Sequence, residues 1–168
     1  MPPQQPLPYD PVAEARRQWA AHGWSQAAGG MAAVTSLMRA HQIVLARVEA
    51  VLRPLGVTFA RYEVLMLLHF SRSDALPMTI IGARLQVHPT SVTNAVDRLE
   101  RAGLVARRPH PSDGRTTLVS LTDDGRRLAL DATDRLNAAV FRAPGMPDGD
   151  LAVLVDVLAG LRRDAGDF

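Results

Sequence analysis

Met78 to Thr122, MTIIGARLQVHPTSVTNAVDRLERAGLVARRPHPSDGRTTLVSLT, divides into a short helical segment, a tight turn, a second helical segment and two extended flanks around a turn. The second helix can be bounded from residue types. Pro89 suits a first helical position, Val92, Val96 and Leu99 recur at helical spacing, and Gly103 followed by Leu104 supplies a stop. Apolar residues therefore take one side. The other side starts with Thr90, Ser91, Thr93 and Asn94 and ends with Arg98 and Arg101, small hydrogen-bonding groups followed by guanidinium groups. Such a face suits the major groove of DNA.

The flanks Leu104 to Arg108 and Thr116 to Leu121 are rich in β-branched and apolar residues, and PHPSDGR between them combines Pro, Asp and Gly as a turn requires. The expected product is a two-stranded hairpin with a cationic tip, the wing of a winged helix-turn-helix. The residues 79 to 85 and the turn Gln86-Val87-His88 supply the first half of the helical pair. Asp97 is an apparent objection, since an acid on a DNA-facing helix repels phosphate. Arg101, four residues on, can neutralise it, with Arg107 and Arg108 as further candidates.

At LQVHPTSVTNAVDRLERAGLVARR, followed by Asp113-Gly114-Arg115 and then Leu121-Thr122, the chain resembles the MarR family of bacterial regulators; the resemblance runs from about Ala32 to about Leu161. It implies a recognition helix, a wing tip whose Asp113 orients Arg115, and a new helix after the wing. His88 stands at the cap where a Ser is common and would bond the helix N–H groups better, and Gly114 stands where a second Arg is frequent. The resemblance also implies that the first helix and last two helices intertwine with a second copy. Trp19 and Glu63 match two residues used by urate-responsive relatives, but Ala95 replaces the recognition-helix arginine of those proteins, so urate is not implied.

A chain of 168 residues suffices for one domain or two small interleaved lobes, and 47% apolar with 21% charged residues is ordinary globular composition. The formal charge of +2 is modest, so the distribution carries the information. Acids gather after Leu121, whereas Arg84, Arg98, Arg101, Arg107, Arg108 and Arg115 fall in the winged segment. The absence of Cys excludes disulfides, thiolate metal sites and thiol-based peroxide sensing by this chain. MPPQQPLPYDP lacks a basic region followed by an apolar core, and no run of about 18 apolar residues exists, so a soluble cytoplasmic protein is expected.

Five of the twelve prolines lie in residues 1 to 11, which marks an extended tail. A short amphipathic helix with Trp19 and Trp24 near its end is expected before Gly29-Gly30, packed either on its own subunit or across a dimer. From Met31 to Arg53, Val34, Leu37, Met38, Val44, Leu45, Val48, Val51 and Leu52 follow the spacing of a long helix, ended by Pro54 and Gly56. A helix capped by Thr58 carries Tyr62, Leu65, Met66 and His69 on one stripe, and Ser71 to Pro77 reads as a loop. Thr122 caps a helix with Asp123 and Asp124 in its first turn, running to about Arg142. Pro144, Gly145 and Pro147 separate it from a last helix opened by Asp148, in which Leu151, Leu154, Val155, Leu158 and Leu161 form an apolar seam suited to a partner subunit.

The expected organisation is a tail and short helix over 1–30, a helical dimerisation region over 31–53 and 123–168, and a winged helix-turn-helix over 54–122 within a mainly α fold. The DNA-contact candidates are Thr90, Ser91, Thr93, Asn94, Arg98, Arg101, Arg107, Arg108 and Arg115, with Asp113 and Gly114 supporting the wing. Met38, His41, Tyr62, Met66 and His69 offer a mostly apolar lining with a few polar groups, suited to a small anionic aromatic effector. His41 and His69 on such faces are more often hydrogen-bonded core residues than ligands, and no metal-ligand spacing accompanies them. No cofactor, membrane partner or catalytic motif is expected: there is no phosphate loop, G-x-S-x-G, H-E-x-x-H or Cys nucleophile. The reading is a homodimeric, ligand-responsive repressor on an inverted-repeat DNA operator. The alternatives are a winged-helix protein-interaction module or a small-molecule binding protein that does not engage DNA.

Overall fold

Asp10 opens the first helix, α1 (Pro11–Ala21), by accepting the Val12 N–H at 2.9 Å, and Pro11 takes a first-turn position where no N–H is needed. The computed structural model describes residues 6–110 and 112–168; the side chains of 113–115 lie outside that description. Two units are distinguished, Met1–Arg47 and Val48–Phe168.

In the first unit, α1 ends at His22 and the chain turns at Gly23, whose φ of +88° is a conformation that favours glycine. Trp24 N–H then donates to the Trp19 carbonyl at 3.0 Å, and the two indole rings lie 5.1 Å apart, tilted. The next helix, α2 (Ser25–Leu52), begins earlier than the spacing predicts and runs through Gly29-Gly30. Those glycines were expected to break the chain; the break falls at Gly23 instead. Neither Gly29 nor Gly30 adopts a positive φ. A glycine inside a helix costs about 1 kcal/mol relative to Ala, and the flanking Ala27, Ala28, Ala32 and Ala33 favour continuation.

In the second unit, a 3-10 turn (Arg53–Leu55) and Gly56 at φ +73° close α2, as Pro54 and Gly56 foretell. The next helix is α3 (Phe59–His69). Thr58 occupies its cap position, but its side chain does not cap; Glu49 Oε1 accepts the Phe59 N–H at 2.8 Å instead. A short strand, β1 (Ala75–Pro77), follows where a plain loop was expected. After it come α4 (Met78–Leu85), α5 (Pro89–Arg101), β2 (Val105–His110) and β3 (Asp113–Leu121). The last elements are α6 (Asp123–Leu136), continued by a wider i→i+5 turn over Asn137–Phe141, and α7 (Asp148–Asp164).

The sheet is antiparallel with order β1-β3-β2, so the wing rests on three strands rather than two. Ala75, Leu76 and Pro77 pair with Ser120, Val119 and Leu118. Pro77 can end this edge strand because no ladder N–H is required of it there. The core of the unit joins Val48 and Leu52 to Leu65, Leu68, Ile81, Val96, Leu99, Val119, Ala132 and Leu136. Each fully buried Leu, Ile or Val contributes roughly 1.5 to 3 kcal/mol of transfer free energy, and together they seat α5 from beneath. No helix among the described residues is long and apolar enough to cross a membrane.

Candidate nucleic-acid interface

The helix α5 is held by Val92, Val96 and Leu99, which are 2%, 0% and 1% exposed. Thr90, Ser91, Thr93, Asn94, Arg98 and Arg101 are exposed on its remaining surface. The turn before it places Gln86 at φ +53°, left-handed without being glycine, with its side-chain amide donating to the Ala83 carbonyl at 3.0 Å. Gly82 lets α4 approach: a Cβ there would meet Val92 Cγ2 at 3.3 Å. His88 does act as a cap, its Nδ1 accepting the Thr90 N–H at 3.3 Å. Thr93 donates its hydroxyl to the Pro89 carbonyl at 3.0 Å, which leaves its lone pairs and methyl group to face outward.

Of the three arginines considered for Asp97, Arg107 is the one that pairs with it among the described residues. Its Nη2 lies 2.6 Å from Asp97 Oδ1, its Nη1 2.7 Å from Glu100 Oε2, and its backbone N–H donates to Glu100 Oε1 at 3.1 Å. Partial burial disfavours the Arg107 charge, but the hydrogen bonds it donates to Asp97 and Glu100, with the charges of those two carboxylates, outweigh it and raise the guanidinium's pKa. Arg107 thus ties edge strand β2 to α5 with its donors turned inward. The pattern was legible only in part: acids at 97 and 100 share one side of a helix, but nothing local names their partner. Arg108 is exposed beside it. The side chains of Asp113, Gly114 and Arg115, assigned to the wing tip, lie outside the described residues.

The effector candidates are not all gathered. Tyr62 and Met66 line a groove of about 350 Å³ with Glu63, Leu67, Phe70, Leu85 and Thr133. Thr133 donates to the Ala129 carbonyl at 2.8 Å, so in the 2.9 Å contact between Tyr62 Oη and Thr133 Oγ1 the tyrosine is the donor. Burial pushes the Glu63 carboxyl above its ordinary value. His69 does not line this groove: its Nδ1 accepts from Arg126 Nη1 at 3.0 Å, and Arg126 also pairs with Asp74. Met38 and His41 are exposed on the part of α2 that belongs to the first unit.

A reading helix seated on a core, beside a β-wing, is a fold shared with solved regulators. A MarR family transcriptional regulator from Streptomyces coelicolor is 53% identical, with a TM-score of 0.76 over 83% of this chain and 97% of that one. The chain belongs to the MarR family. The MarR family sequence signature itself matches residues 57–117, which span α3 to the wing. CouR from Rhodococcus jostii RHA1, solved bound to p-coumaroyl-CoA, is 34% identical with a TM-score of 0.64, over 74% of this chain and 87% of CouR. An HTH-type transcriptional repressor of Mycobacterium tuberculosis is 34% identical over 106 residues, 63% of this chain and 75% of the relative. As a MarR-family protein the chain is a transcriptional regulator rather than an enzyme.

Proposed function

We propose that this MarR-family regulator is a homodimeric repressor that binds an inverted-repeat operator and releases it on binding a small anionic aromatic effector. The observation that carries the DNA reading is the exposed polar face of α5 opposite Val92, Val96 and Leu99. Thr90, Ser91, Thr93 and Asn94 are assigned to base edges, and Arg98, Arg101 and Arg108 to phosphates, because phosphate contacts position whereas base contacts specify. Arg115, at a tip shaped by Asp113 and Gly114, is assigned to the narrow minor groove. Arg107 serves the same surface indirectly by fixing α5 against β2. Two copies related by a two-fold axis read a two-fold operator, with half-sites roughly 34 to 36 Å apart.

The groove at Tyr62, Glu63 and Met66 supports the effector reading, since a mostly apolar lining with a few polar groups suits a small organic ligand. CouR's bound p-coumaroyl-CoA, an aromatic acyl group on an anionic carrier, points to the same chemical class. The effector acts only through unequal affinity for DNA-competent and incompetent dimers; a coupling of about 1 to 3 kcal/mol gives roughly 5- to 150-fold release. The deciding experiment is a gel shift against the promoter region beside its own gene, at stated salt, with and without salicylate-like and hydroxycinnamoyl compounds. Retarded DNA is expected from the wild type, with Asn94→Ala altering sequence preference by about 1 to 3 kcal/mol per lost base contact. No sequence-dependent binding at low salt would overturn the reading.

A further inference from the structure

We propose that Arg61, oriented by Thr58 at the α3 start, forms with Arg98 of α5 a seat for one phosphate of the DNA backbone. The inference rests on the DNA-binding reading above and adds a contact from an element outside the helix-turn-helix and wing. The seat is a cleft of about 190 Å³ lined by Thr58, Ala60, Arg61, Asn94, Ala95 and Arg98. Two of the six are alanines, which leaves the space open between the longer polar side chains.

Arg61 is held ready rather than free. Its Nε donates to Thr58 Oγ1 at 3.1 Å and its Nη1 to the Gly56 carbonyl at 3.1 Å. Those two bonds fix the guanidinium plane and leave three of its five N–H donors, the fork that matches a phosphate. Thr58 orients Arg61 instead of capping α3, whose Phe59 N–H is already satisfied by Glu49. The site therefore does not depend on the helix end.

Charge supplies the second observation. Arg107, Arg126, Arg127 and Arg135 each lie against a carboxylate. Among the described residues neither Arg61 nor Arg98 has a carboxylate within 4.0 Å, yet both border the same cleft. Two uncompensated guanidinium groups at one cleft attract an anion. Asn94 and Arg98 lie on the surface of α5 that also bears Thr90, Ser91 and Arg101, so an anion seated there belongs to a duplex lying on that surface. Arg61 is thus a positioning contact, without base preference.

Operator titrations at several salt concentrations test this. Arg61→Gln should reduce the slope of log K against log salt by about 0.9, the contribution of one phosphate. Its affinity deficit should then shrink about 3.5-fold between 50 and 200 mM salt. The deficit should be equal on operator variants that Asn94→Ala distinguishes, and Arg61→Lys should restore the slope. Because the seat needs both guanidinium groups to hold its one phosphate, the Arg61→Gln, Arg98→Gln double variant should lose a slope of about 0.9, the same as Arg61→Gln alone and not twice that. Thermal unfolding of each variant separates a fold defect, and if Arg61→Gln does not fold, Arg61→Met carries the slope measurement. Wild-type binding with an unchanged slope in the folded variants overturns the seat and spares the DNA reading. Failure of the wild type to bind DNA at all overturns both.

Discussion

A methyl group added at Gly125 would lie 1.9 Å from the Leu104 carbonyl oxygen and 3.0 Å from Leu121 Cδ1. The obstacle is backbone, which cannot rotate aside. Next to it, Thr122 Oγ1 accepts the Gly125 N–H at 3.0 Å and donates to the Gly103 carbonyl at 2.8 Å, so the start of α6 is bonded to the turn after α5. Gly125→Ala is therefore expected to cost about 3 kcal/mol, the upper end of ordinary overpacking. That corresponds to a fall in Tm of roughly 6 to 12 °C for a chain of this size; an unchanged Tm in calorimetry would contradict the close approach. Glu63 gives a pH-dependent prediction. Burial raises its carboxyl above the ordinary 4.5, so the folded state binds this proton more tightly than the unfolded state does. The associated stability is full below that ordinary value and is lost as pH rises through the higher folded value. Glu63→Gln should accordingly be more resistant to urea than the wild type at pH 7, with the difference closing as the pH falls below about 4. Equal differences at both pH values would show that the carboxyl is not desolvated.

Between α5 and β2, the Asp97–Arg107–Glu100 cluster is partly exposed, its side chains retaining 25% to 38% of their accessible area. Pairs with this much solvent contribute about 0.2 to 1 kcal/mol, far less than the buried Val92, Val96 and Leu99. Stability is thus the smaller consequence, and orientation the larger. Glu100 also occupies an N–H of β2, an edge strand in the order β1-β3-β2. Arg107→Ala should lower stability by no more than about 1 kcal/mol while weakening operator binding, and it should leave the salt slope as in wild type because Arg107 spends its charge internally. A slope reduced by about 0.9 would place Arg107 on a phosphate instead.

No residue of α7 is buried, although Val153, Val155 and Val157 are more than 60% exposed and Leu161 is 53% exposed. Exposed Val34, Met38 and Ile43 repeat the pattern on α2. Exposed apolar residues of this kind suit an association surface, and the two-fold operator proposed above would require a second copy as the occupant. Light scattering of the intact chain at micromolar concentration should give a dimer, and removal of residues 144–168 should abolish the folded dimer. A well-folded monomer of the intact chain under those conditions would contradict the assembly and, with it, simultaneous contact with two half-sites.

The sequence by itself determined the recognition helix, its buried and polar sides, the His88 to Pro89 start, the Thr122 cap and the apolar character of α7. All of these depend on residues within about four positions of one another, where periodicity and capping act. It misplaced the end of the first helix at Gly29-Gly30, whereas of these three glycines only Gly23 has a positive φ. It also missed β1: three residues ending in Pro77 carry no alternation, and they become a strand only because Ser120, Val119 and Leu118 of β3 offer an edge. The partner of Asp97, the exclusion of a side chain at Gly125 and the shared cleft of Arg61 and Arg98 were likewise decided by tertiary structure. Each joins positions that the chain brings together after intervening turns, and residue types specify what such groups can bond, not which of them will meet.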